Sequence, residues 1–168
     1  FPLGVFLSWA GIGPWLALAA FEVGTYSAAF HSIAQSQGFM MAFVTGFLFT
    51  AIPRRTKTAA PAPWEMLIGL MAPIGTTAAA GLGAVALAQL FWVISVLVLV
   101  VFVVRRFLSS SAGRRPPNSF VWLPVSFLIA LGGVVVIGFQ RPFGNRMWWL
   151  HDLGKDMVTQ GMLLGLIV

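Results

Sequence analysis

Two histidines, His31 and His151, are the only side chains of this 168-residue sequence offering a strong nitrogen ligand, and there is no cysteine. Neutral imidazole suits both haem iron and copper. His31 and His151 could therefore act as a bis-histidine haem pair or as part of a copper site. Without cysteine, disulfides, zinc–thiolate sites and iron–sulfur clusters are excluded. The plainer alternative is two unrelated histidines anchoring helix ends at a membrane surface. Sequence spacing does not decide between them.

The residues around His31 sharpen the question. His31, Gln35, Gly38, Ala42 and Thr45 recur at i, i+4, i+7, i+11 and i+14, a spacing that predicts one shared helical face. Small and polar groups inside a membrane segment turn toward other helices, so this face reads either as the wall of a cofactor pocket or as a tight helix seam. Gln35 is the candidate cofactor contact beside His31. Phe39, Phe43 and Phe47 fall on the opposite side. Met40 and Met41 are soft enough for copper, although methionines in apolar spans usually pack.

Elsewhere the chemistry thins out. Asp152, Asp156 and Gln160 share a face of the last apolar run, where Asp156 beside Lys155 could join a proton or ion path or simply snorkel to the surface. Thr76 and Thr77 can bond within their own helix, while Gln89 and Ser95 are expected to serve contacts between helices. Trp9, Trp15, Tyr26, Trp64, Trp122, Trp148 and Trp149 mostly fall near the ends of apolar runs, as an interfacial belt would. Gly11-Ile12-Gly13 lies inside an apolar run and is no dinucleotide fingerprint. There is no Walker loop, nucleophile elbow or zincin motif, so no catalytic residue is nominated.

The elements positioning these residues follow from composition. Hydrophobic residues make up 59% of the chain and charged ones 8%, against about a quarter charged in a soluble domain. That leaves too little polar side chain to coat an aqueous surface, so the lipid bilayer is the expected solvent. A spanning helix needs about 20 apolar residues. Runs of that kind occupy residues 3–21, 31–52, 64–81, 84–104 and 120–139, with a sixth at 153–168. The 39 uncharged residues from Met66 to Val104 would make a helix of roughly 58 Å. They must form two helices, turning at Gly81-Leu82-Gly83. Pro63 and Glu65 suit a helix start; Asn118 or Ser119 could cap the fifth span. The sixth run has only 12 residues after Asp156, about 18 Å of helix, which predicts a truncated span in a piece of a longer chain. The runs lack the alternation of barrel strands. The expectation is one all-α, polytopic membrane bundle of five full spans and a partial sixth, partnered by lipid and by the remaining helices of the chain.

Ten Lys and Arg against four acids give a net charge of +6. The cations sit in short loops between apolar runs, a signature of membrane orientation rather than nucleic-acid binding. The loops after spans two and four carry three and four of them; those after spans one and three carry none; Arg141, Arg146 and Lys155 follow span five. Seven against three places the N-terminus and the loops after spans two and four in the cytoplasm, as in a bacterial-type inner membrane.

The segments FHSIAQSQGF at 30–39 and VTGFLFTAIPRRT at 44–56 resemble the NnrS family. Its pattern has a His-x-His run, a Gly-Phe pair and a span ending in an Ala-x-Pro turn. His31 matches the first histidine, Gly38-Phe39 the pair and Thr50-Ala51-Ile52-Pro53 the turn. Gln35 fits a glutamine variant. Ile33 stands where the second histidine would be, so further ligands would come from other helices. The resemblance implies a polytopic membrane protein containing haem and copper, linked to nitric-oxide stress and denitrification, with His31 and His151 as ligands. A transporter- or channel-type bundle and a structural membrane subunit without cofactor are the competing readings. Against transport, the first five spans hold no ionisable group at mid-depth.

Overall fold

The computed structural model describes residues 2–24, 27–109, 122–140 and 148–161. All the described elements are helical, and they fall into two units, Phe1–Ala112 and Gly113–Val168. The expected caps at Asn118 and Ser119, the loop residues Arg141, Asn145 and Arg146, and Tyr26 lie outside the described residues.

In the first unit, α1 (Pro2–Phe21) carries Pro14 in its interior. Glu22 and Gly24 then take positive φ angles, 56° and 91°, which turns the chain out of the helix. Ser27 accepts a hydrogen bond from the Phe30 N–H and starts α2 (Ala28–Ile33). A six-residue π-turn, Ala34–Phe39, joins α2 to α3 (Met40–Thr56). Together they form one 29-residue rod, Ala28–Thr56. It is longer at both ends than the expected 31–52, because Ser27 supplies an earlier cap and Pro53 is carried within the helix instead of closing it. The rod stops where Lys57 adopts the left-handed conformation.

Helix α4 (Pro63–Gly81) begins with Pro63, and its Glu65 accepts the Ala62 N–H at 2.7 Å. The expected turn forms at Leu82 and Gly83, where Gly83 has φ 74°, and α5 (Val85–Leu108) returns antiparallel. The α4–α5 hairpin is the most extensive helix contact of the unit. Ala79, Ala80 and Ala88 let the backbones approach at the turn, with Phe30, Ile33 and Phe91 packed around them. The Ala28–Thr56 rod touches α1, α4 and α5 and is the centre of the unit.

The second unit pairs α6 (Trp122–Gln140) with α7 (Trp148–Asp156), which continues into a π-turn at Met157–Gly161. Gly133 and Gly154 face each other so closely that a Cβ on either would come within 2.8 Å of the other's carbonyl oxygen. The last helix starts at Trp148, earlier than the expected 153.

By length and composition Pro2–Phe21, Ala28–Thr56 and Val85–Leu108 can each cross a bilayer, and Trp122–Ile137 is a shorter apolar helix. Helix α4 is long enough, but Glu65, Pro73, Thr76 and Thr77 dilute its apolar character.

Candidate cofactor site

His31 lies near the end of α2, half-buried, and its ring faces α1. Its Nδ1 donates to the Gly11 carbonyl at 3.0 Å. One turn on, Gln35 Nε2 donates to the Ser8 carbonyl at 2.9 Å. α1 admits these contacts because its buried stripe is Gly4, Leu7 and Gly11, with a glycine where the His31 ring and the Gln35 amide approach. A Cβ at Gly11 would stand 2.5 Å from Gln35 Nε2 and 3.1 Å from Ala34 Cβ, so a larger residue there would displace the Gln35 amide and press on Ala34. Pro14, with no N–H to give, also loosens the carbonyl ladder of α1 one turn upstream.

A carbonyl oxygen only accepts, so the bonded Nδ1 carries the proton, and in the neutral ring the lone pair falls on Nε2. That is the tautomer a metal would need from His31 through Nε2.

The single shared face expected for His31, Gln35, Gly38, Ala42 and Thr45 is not what forms. Within Ala34–Phe39 the Met40 N–H reaches back five residues to the Gln35 carbonyl, inserting one extra residue into the turn. The polar face is thereby divided between α1 and α4, and Gln37 beside it meets a third neighbour. His31 and Gln35 go to α1. Gln37 exchanges two amide hydrogen bonds with Gln89 of α5, at 2.9 and 3.3 Å. Gly38 abuts α4, where a Cβ would collide with Thr77 Oγ1. Thr45 reaches Gly69 of α4, whose added Cβ would lie 2.9 Å from Thr45 Cγ2. The aromatic side follows the expectation in part: Phe47 is exposed, whereas Phe43 covers Gly4 of α1 and meets Phe39 edge-on at 5.2 Å.

The other nominated residues behave variously. Met41 is fully buried in apolar packing. Thr76 and Thr77 bond the carbonyls of Ala72 and Pro73, as expected. Ser95 bonds Phe91 of its own helix instead of another helix, because a short hydroxyl reaches the carbonyl four residues back more easily. In the second unit His151, Asp152, Asp156 and Gln160 are all exposed. Among the described residues no three histidine or acidic side chains gather so as to hold a metal ion.

Two polar features escaped the sequence reading. Glu65 is completely buried and pairs with Arg106, 41 positions away. The signal was present: an acid in the first turn of one helix and arginines in the last turn of the next, joined by a tight hairpin. Trp92, at mid-helix in α5, is fully buried, and its indole N–H has no partner among the described residues. Nothing in sequence separated it from the interfacial tryptophans except its place in the middle of a run.

A family model described as NnrS protein matches residues 1–168, the whole chain. The chain belongs to the NnrS family. Neither the curated proteins nor the solved structures contain a significant match to it. The segment carrying the NnrS resemblance, from Phe30 to Thr56, lies within the rod that packs against α1, α4 and α5.

Proposed function

We propose that this NnrS-family chain binds haem, copper or both in a bacterial-type inner membrane, in a protein associated with nitric-oxide stress or denitrification, and that His31 is one ligand. The observation carrying this reading is the 3.0 Å contact from His31 Nδ1 to the Gly11 carbonyl. Metal-bound histidines commonly give their other ring N–H to a carbonyl or carboxylate, which fixes tautomer and ring orientation. Gln35 supports the same wall by holding Ser8 of α1. His151 is the second candidate imidazole. When bound, haem or copper would supply one-electron or small-gas chemistry; the role of the chain is to hold and orient it.

In protein purified from membranes, His31→Ala should lose bound haem or copper, read by a Soret band and metal analysis, while inserting normally. Full occupancy in that variant removes His31 as a ligand. His151→Ala tests the second imidazole in the same way.

The proposed arrangement is five full spans followed by a sixth apolar segment, with the N-terminus cytoplasmic. The distribution of Lys and Arg supports it. Single cysteines at Ser110 and Asn145 should react from opposite sides of the membrane. Labelling of both by one impermeant reagent in intact cells would overturn the arrangement.

A further inference from the structure

A groove of about 230 Å³ opens between α1, α3 and α4 at the end of the first unit that carries Arg54, Arg55 and Lys57. Leu3, Gly46, Phe49, Met66 and Leu70 give it apolar walls. Met66 and Leu70 are 49% and 45% exposed, so the groove faces outward, toward lipid in a membrane protein, and is not an interior void.

The α3 wall of the groove, continued past Thr50, leads to charge. Gly46, Thr50 and Arg54 are spaced i, i+4, i+8 along α3 and follow one side of the helix. Over those eight residues the helix rises about 12 Å, and Lys57 comes three residues later, at the cap. Arg54, Arg55 and Lys57 are exposed, and among the described residues none of them meets a carboxylate; the ion pairs that form join Arg105 and Arg106 to Glu65. An apolar channel ending on uncompensated cations matches a molecule with a hydrocarbon chain and an anionic head.

We propose that this groove binds one anionic phospholipid, with an acyl chain along Gly46 and Phe49 and its phosphate held by Arg54 and Lys57. A free phosphate would leave the groove unfilled, and a zwitterionic lipid would gain less from the cations. Only the membrane character of the chain enters here; the cofactor reading does not.

The test uses the protein in phosphatidylcholine nanodiscs doped with phosphatidylglycerol, with retained lipid read by native mass spectrometry after detergent release. The parent protein should retain one phosphatidylglycerol in preference to phosphatidylcholine. Arg54→Gln and Lys57→Gln should each reduce that preference by roughly fivefold. Thr50→Trp, at an exposed position on the groove wall, should block retention of both lipids while inorganic phosphate competes with neither. Equal retention of the two lipids by the parent, a charge-neutralised double variant that retains phosphatidylglycerol as the parent does, or unchanged retention in Thr50→Trp would overturn the proposal. So would a lipid-free dimer, which would make the groove an interface between copies. His31→Ala should leave lipid retention unchanged, which separates failure here from failure of the cofactor assignment.

Discussion

Glu65 and Arg106 form a two-point ion pair between the first turn of α4 and the last turn of α5, with Nη2 donating to Oε2 at 2.8 Å and Nη1 to Oε1 at 3.1 Å. The same guanidinium donates to the carbonyls of Ala59 and Ala60, and its Cζ lies 3.7 Å from the Phe102 ring centroid. One side chain thus ties together two helix ends and the linker at residues 57–62. Two buried charges are costly to desolvate, but here nearly every donor and acceptor is matched.

Arg106→Ala should therefore destabilise the protein by about 3–5 kcal/mol, because it removes the two-point partner of a carboxylate with no solvent exposure. Replacing both partners by methionine should cost far less than the single change. Arg105 touches Glu65 only at 3.7 Å and is 60% exposed, so Arg105→Ala should unfold at nearly the parental temperature. Thermal midpoints in one detergent check the order; equal midpoints for Arg106→Ala and Arg105→Ala would contradict it.

Gly38 sets the spacing between the central rod and α4. Gly38→Ala should lose about 1–3 kcal/mol through overpacking against Thr77. Removing the obstruction in Gly38→Ala/Thr77→Ala should return part of that loss, and a double-mutant cycle measures the coupling. Additive effects would mean that the two residues do not touch.

The hydroxyl of Thr45 is buried with no partner among the described residues, whereas Thr76 bonds the Ala72 carbonyl at 2.9 Å. Thr45→Val should consequently be neutral or stabilising by up to ~1 kcal/mol, since it removes a desolvated group that gains nothing. Thr76→Val should be the less stable of the two. A reversed order in the same unfolding assay would show that Thr45 has a partner.

The Gln37–Gln89 pair should behave reciprocally. Gln37→Leu alone leaves the Gln89 amide without its two bonds and should cost about 1 kcal/mol. Gln37→Leu/Gln89→Leu should be no worse than the single variant. A double variant clearly less stable than either single, as additive effects would give, would refute an isolated pair.

The helix ends were readable from sequence wherever a local signal existed: Pro63 and Glu65 open α4, Gly83 turns the hairpin, and Arg105–Arg106 mark the end of α5. The centrality of the His31 segment was readable too, because small and polar residues in an apolar run must find neighbours. The partners were not. Which carbonyl His31 bonds, and that Glu65 belongs to Arg106, depend on how antiparallel helices align, which no short window encodes. The π-turn was equally hidden, since a single inserted residue changes the phase of the pattern without changing its composition.

That turn gives the rod the character of a shaft cut and rejoined out of phase. The half bearing His31 is keyed to α1 by Gly11 and Ser8, the half bearing Thr45 to α4 by Gly69. Deleting one residue between Ile33 and Met40 would remove the bulge and leave a regular helix, one residue shorter, with its two halves still in register. Winding the same residues into an unbroken α-helix, with none removed, would instead turn the His31 half by about 100° about the common axis, swinging the imidazole off the Gly11 carbonyl. The orientation of this histidine is thus stored in the winding of the turn as much as in the identity of its residues.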